Sequence, residues 1–215
     1  MKAVLISIQP KWCELIASGK KTIEVRKTRP SIETPFKCYI YMTATKERCR
    51  LWGYITAYQN SNGDILNGSK KVIGEFVCDG IYNIEPHDDG HGVNQYTFVG
   101  ADYDDCKTGL SFEELKEYLG EECGYAWHIS DLKIYDKPKE LGEFWAYNAE
   151  LHKRFANEED FCCYNGTNEY GELLNECALF NADIKRCYSC WEEWSGWCHR
   201  ITRPPQSWYY VEEME

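Results

Sequence analysis

The sequence has no apolar run approaching the ~18 residues that a membrane-crossing helix needs, and its mean hydropathy is −0.59. Neither a transmembrane helix nor a membrane partner is expected. The first ten residues, Met1 to Pro10, form too short an apolar stretch for a signal peptide and lack a small-residue cleavage site, so a cytoplasmic protein is expected. There is no GxSxG, no P-loop and no HExxH, which removes the common sequence signatures of serine hydrolases, phosphate-cradling loops and helical zinc proteases. There is no internal repeat and no low-complexity tract. His87 and His91 lie four apart beside Asp88 and Asp89, but Gly90 and Gly92 make residues 85–94 a polar loop rather than a metal-binding helix.

The chain has 215 residues, 43% apolar and 27% charged, enough for a real core. Its net charge of −11 argues at first against a polyanionic partner. The distribution is uneven, however. Residues 1–50 hold 11 Lys/Arg and 4 Asp/Glu, a local excess of +7, whereas residues 51–215 carry a net −18. Such asymmetry reads either as a basic binding face on an acidic body or as chance clustering on a solvated surface. The acidic C-terminal region is in turn a candidate dock for a protein partner.

Twelve cysteines are present. Six are scattered singly before residue 124. The others, Cys162, Cys163, Cys177, Cys187, Cys190 and Cys198, crowd the last quarter together with Trp191, Trp194, Trp197 and Trp208. Cys187-Tyr188-Ser189-Cys190 is a CxxC. With Cys177 and Cys198 it would make a four-thiolate structural zinc site, with His199 and the Cys162–Cys163 pair as alternates. There is no second CxxC, and buried free thiols packed among the tryptophans are the competing reading. A redox CxxC would need a thioredoxin-like βαβ setting, for which the sequence gives no pattern.

Periodicity predicts strands at residues 3–8, 22–26, 38–42, 71–77, 96–99, 125–129 and 132–135. Pro10 opens a helix with Trp12, Leu15 and Ile16 on one face, and Gly19 closes it. Ser111 and Glu114 form a capping box for a second helix, whose buried stripe is Leu115, Tyr118 and Leu119. Asn60 to Asp64 and Asn67-Gly68 are turn chemistry. Pro138 and Gly142 punctuate a boundary. Beyond it the chain turns to helix, loop, cysteine and tryptophan, with a helix possible at 171–181. Strands dominating residues 1–137 with two short helices predict an α+β fold, a small, mainly antiparallel barrel.

Within Thr22-Ile23-Glu24-Val25-Arg26 polar and apolar residues alternate. Ile23 and Val25 then point to the core, while Glu24 and Arg26 share the other, wet face. Lys21 stands just before the strand. A lysine, a carboxylate and a guanidinium therefore come within reach of one cleft. The guanidinium forks onto a phosphate or base edge and the carboxylate accepts from an amine. The bland alternative is an exposed ion pair of little energetic weight.

Gly19-Lys20-Lys21-Thr22-Ile23-Glu24-Val25-Arg26 reads GxKxxExR. With the preceding strand and helix, the Leu115 to Leu119 helix and the Gly124 to Ile129 strand, it resembles the ASCH domain, a β-barrel module of the PUA-like superfamily. The likeness covers roughly residues 3–137. It implies an ASCH domain at 1–137 followed by a Cys/Trp-rich extension at 138–215. Arg203-Pro204-Pro205-Gln206-Ser207-Trp208 resembles the tail of phage or prophage ASCH proteins, in which a cysteine is expected near position 209, where this chain has Tyr209.

The resemblance further implies an RNA- or modified-nucleoside-binding module. Lys21, Glu24 and Arg26 would line the site, Lys20, Lys27 and Arg29 would support phosphates, and Trp127 would offer a stacking surface. Trp12, Tyr39, Tyr41 and Trp52 are further stacking candidates. Of Trp127 and His128, adjacent on a strand, one faces in and the other out. Some small ASCH proteins are amidohydrolases that deacetylate acetylated cytidine, which makes Lys21 and Glu24 candidate catalytic residues. Those enzymes carry a threonine at the position of Glu24 and a glutamate upstream of the later helix, where this chain offers only Asp104 and Asp105. The third reading is a protein-interaction adaptor with a zinc-stabilised tail.

Overall fold

The computed structural model describes residues 2–44, 57–60, 62–101, 107–147, 180–181, 186–187 and 201–214. Strand β1 (Lys2–Ile8) runs into helix α1 (Pro10–Ala17), and β2 (Ile23–Arg26) and β3 (Phe36–Met42) follow. A small hairpin of β4 (Ala57–Gln59) and β5 (Ile65–Asn67) precedes the long strands β6 (Lys71–Cys78), β7 (Ile81–Asp88) and β8 (Val93–Val99). Helix α2 (Phe112–Leu119), β9 (Gly124–His128) and β10 (Ser130–Glu140) come next, then the short pair β11 (Phe180–Asn181) and β12 (Arg186–Cys187), and finally β13 (Trp208–Glu212).

Two sheets form the body, one in the order β10-β6-β3-β1-β13 and the other β2-β9-β7-β8. All ladders are antiparallel except β1 with β3. That parallel pair requires a crossover, which α1 and β2 provide. The fold is α+β and mostly strand, as the sequence predicts.

Among the described residues, three hydrophobic clusters follow from the alternation of side chains. One lies between the sheets and gathers Val4, Ile6, Cys13, Ile16, Ile40, Phe76 and Trp127. A second covers the opposite face of the five-stranded sheet, with Leu5, Tyr39, Tyr41 and Tyr135 under Phe144 and Ile201. Strand β1 is therefore buried on both faces, which accounts for its nearly continuous apolar run. The third packs Leu115 and Leu119 of α2 on Ile23, Val25, Ile84 and Ala126. The capping box holds α2 as expected: Glu114 N donates to Ser111 Oγ at 3.2 Å, and Ser111 N donates to Glu114 Oε2 at 3.0 Å.

The structure corrects several expectations. Residues 85–94 are not a loop but most of a hairpin, β7 paired with β8. The polar residues concentrate in its turn, where Asp88 Oδ1 accepts from the N–H groups of Gly90 and Gly92, both at positive φ. Tyr118 is not in the buried stripe of α2 but 38% exposed. Pro138 does not end the sheet. It lies within β10, an edge strand with a register shift between Ile134 and Lys139, where a missing N–H is tolerated. The expected domain boundary after residue 137 thus falls inside a strand. Beyond it, β13 pairs with β1 in the same sheet. Of the helix expected at 171–181, Phe180 and Asn181 are in a strand and the rest lies outside the described residues.

Gly74 lies where β3, β6 and β10 meet. A Cβ there would come within 2.5 Å of the Lys133 carbonyl oxygen and 3.1 Å of Ile134 Cδ1. Gly74→Ala is expected to cost about 1–3 kcal/mol in equilibrium unfolding, the usual penalty for overpacking.

Burial pushes the thiols of Cys13, Cys38 and Cys78 above their ordinary 9.0, Cys78 to about 12. It also raises the Tyr58 and Tyr209 hydroxyls to about 12. The unfolded chain releases these protons at lower pH than the folded one. Their contribution is complete below pH 9 and is lost as pH rises through the folded values. Urea midpoints measured at pH 8 and pH 10.5 are expected to be lower at the alkaline value; equal midpoints would contradict this account.

Candidate functional site

The turn after α1 fixes the first site residue. Gly19, at φ +69°, lets the chain fold back, so that the N–H groups of Lys20 and Lys21 both donate to the Leu15 carbonyl, at 2.9 and 3.0 Å. Lys21 is thereby directed inward. Its Nζ donates to the Thr108 carbonyl, lies 3.3 Å from Glu24 Oε2 and sits 5.4 Å from the centre of the Trp12 ring.

Strand β2 supplies the other two charges. Ile23 and Val25 face α2, so Glu24 and Arg26 face the space between the sheets. Arg26 Nη2 meets Glu24 Oε1 at 2.8 Å and donates to the Ser7 carbonyl at 2.6 Å, while Nη1 reaches Ser207 Oγ at 3.4 Å. The expected wet face of this strand is therefore buried: Lys21, Glu24 and Arg26 are 2%, 5% and 7% exposed. The reason is topological. The strand face that the sequence pattern presents to water is roofed by β1 and by the segment leading into β13.

That segment forms one wall of the site. Ser7 Oγ donates to the Pro205 carbonyl at 2.7 Å, and Ser7 N donates to the Ser207 carbonyl at 2.8 Å. Above the network opens a cleft of about 640 Å³ lined by Gln9, Trp12, Leu110, Glu117, Tyr118 and Gln206, with Lys21, Glu24 and Arg26 at its floor. One carboxylate thus lies between two cations at the floor, and the Glu114 and Glu117 carboxylates line the cleft as well. Burial lowers the Lys21 amine below its ordinary 10.5, with Glu24 pulling the other way. Arg26 Nε is buried without a hydrogen-bond partner among the described residues.

The remaining predicted residues are dispersed. Trp127 is fully buried, edge-on to Phe36 at 5.9 Å. It packs the inter-sheet core and presents no face for stacking. Tyr39 and Tyr41 are buried in the second cluster. Lys20 is exposed and outside the cleft lining. Arg29 is exposed over the Tyr125 ring at 5.8 Å, lining a separate groove. Lys27 pairs with Glu122 at 3.5 Å. His128 turns away from Trp127 as expected and bonds Asp79 at 2.6 Å.

The proposed zinc ligands Cys177, Cys190 and Cys198 lie outside the described residues, as do Trp52, Asp104 and Asp105. Cys187 is placed only as backbone in β12. Sequence reasoning missed Gln9, Glu117, Tyr118, Gln206 and Ser207. Tyr118 gave a signal, being a tyrosine at the margin of a helical stripe. Gln206 and Ser207 carry one too, since they lie in the Arg203 to Trp208 segment that bears the family resemblance.

A strand-dominated α+β body with a lysine, a glutamate and an arginine gathered beneath a cleft defines the class of small barrel modules to which the GxKxxExR pattern pointed. Residues 6–153 match the ASCH domain, and the chain belongs to that family. Among solved structures, the chain is similar to the ASCH protein of Zymomonas mobilis at 22% identity, with 65% of this chain and 73% of that one covered and a TM-score of 0.41. A tyrosine-to-phenylalanine variant of the same protein gives 22%, 66%, 77% and 0.41. No curated protein matches. Among the described residues no helix is long and apolar enough to cross a membrane.

Removing the bridging carboxylate would leave two cations facing each other in a buried place. Glu24→Gln is expected to cost about 3–5 kcal/mol, the range for breaking a buried ion pair from one side. Adding Lys21→Met to it should recover part of that loss, which a double-mutant cycle in urea would show.

Proposed function

We propose that this ASCH domain binds RNA by holding one unstacked nucleoside, unmodified or modified, in the cleft above Lys21, Glu24 and Arg26. The observation that carries this reading is the buried Lys21–Glu24–Arg26 network at the floor of the cleft, placed beneath the Trp12 ring and beside the exposed Tyr118. A cleft of about 640 Å³ is within the range of small-molecule sites. Trp12 and Tyr118 offer aromatic surface for a base. The amides of Gln9 and Gln206 and the carboxylate of Glu117 offer both donors and acceptors to its edge. The acid-rich composition, with a net charge of −11, favours recognition of a single residue over wrapping of a long phosphate backbone. PUA-like barrels commonly bind RNA, which agrees with this reading.

A titration of labelled single-stranded and structured RNA at two salt concentrations tests it. Tyr118→Ala removes an exposed ring and leaves the core intact. It is expected to weaken binding at least about fivefold, the low end for loss of one base-stacking contact. Trp12→Ala should act in the same direction. Wild-type affinity in both variants would overturn the proposal.

Amidohydrolysis is the second reading, favoured by the lowered Lys21 amine, since a larger fraction of such a lysine is neutral and available to accept a proton. Glu24, where the hydrolases carry threonine, here ties Lys21 to Arg26 instead of leaving the amine free. Release of acetate from acetylated cytidine, abolished by Lys21→Arg, would establish hydrolysis; no turnover at high enzyme concentration would dismiss it.

A further inference from the structure

The cleft does not end at Arg26. The next residue, Lys27, is exposed, and its Nζ lies 5.7 Å from the centre of the Tyr118 ring, the same ring that lines the cleft. Two residues on, the exposed Arg29 guanidinium lies 5.8 Å from the Tyr125 ring. Arg29 also opens a second groove of about 610 Å³, lined by residues 29–34 and Ile81. A cation beside a tyrosine thus recurs twice along one short stretch of chain, leading from the cleft wall to a neighbouring groove.

Single-stranded nucleic acid is bound by this combination of elements, positive charges along the backbone with aromatic rings beside them for the bases. The carboxylates on the path are Glu122, 3.5 Å from Lys27 with its side chain 73% exposed, and Glu33, exposed in the second groove. An exposed pair of that kind is weak, so a phosphate displaces Glu122 at little cost. Neither cation is among the residues lining the cleft itself, so both are free to serve the ligand's neighbouring residues.

We infer that Lys27 with Tyr118 and Arg29 with Tyr125 form an exit track for the nucleotides flanking the one in the cleft, making the ligand a single-stranded RNA rather than a free nucleoside. The inference rests on the cleft reading above, and it assigns the strand a path over residues 27–29 into the groove beside Ile81.

Binding of a mononucleotide and of a single-stranded octanucleotide, each by wild type, by the Lys27→Ala/Arg29→Ala double variant and by Tyr118→Ala, separates the two ideas. The octanucleotide is expected to bind wild type at least tenfold more tightly than the mononucleotide. The double variant should lose that advantage and lower the salt slope by about 1.4, two single-strand phosphate contacts, while its mononucleotide affinity falls by much less than its octanucleotide affinity. An octanucleotide affinity and salt slope unchanged in the double variant would overturn the track, even if Tyr118→Ala weakens both ligands and so upholds the cleft. Failure of wild type to bind either ligand, or equal affinity for the two, would also overturn it. Preference for a duplex over the single strand would count against it in the same way.

Discussion

The placement of one carboxylate between two cations organises this protein. Glu24 meets Lys21 on one side and Arg26 on the other, and all three are almost wholly buried. Charges withdrawn from water are stable only with close partners and satisfied hydrogen bonds, so everything around the network is arranged to supply them. The Thr108 carbonyl receives the lysine, and the Ser7 carbonyl and Ser207 hydroxyl receive the guanidinium. Each comes from a different stretch of chain. The ion network is therefore the joint at which β1, β2, the loop before α2 and the segment before β13 are held together.

The demands of this network explain why it is built on strands. A buried network of this kind tolerates little displacement, and β2 is held by its ladder with β9 on one edge and by α2 packed on its apolar face. The residues that give the cleft its polar and aromatic lining, Gln9, Glu117, Tyr118 and Gln206, come from a helix cap, the exposed side of α2 and a connecting segment. Buried charge thus sits at the floor, held by strands, and more exposed polar and aromatic groups sit at the rim.

Much of this was legible in the sequence. The alternation of residues 22–26 placed Glu24 and Arg26 on one face, Gly19 marked the turn that directs Lys21, and the Ser111–Glu114 box set the start of α2. The burial of the polar face was not legible. It depends on β13 and the preceding segment returning to β1 across some two hundred residues, and no local pattern encodes such a contact. The side taken by Trp127 was not legible for a related reason: strand alternation says that it and His128 point apart, but only the packing of two sheets decides which side is the core. Pro138 misled because a proline ends most strands, whereas an edge strand accommodates it.

The bond from Ser7 to the Pro205 carbonyl spans 198 residues of chain. During synthesis at 5–20 residues per second, the strand carrying Ser7 is made roughly 10–40 s before its counterpart. Throughout that interval Lys21, Glu24 and Arg26 exist without the wall that later shuts them from water. The nascent chain must carry these charges solvated and only desolvate them when the returning segment arrives. Burial of the charged floor is thus completed only once the segment from Pro205 to Ser207 has docked on β1.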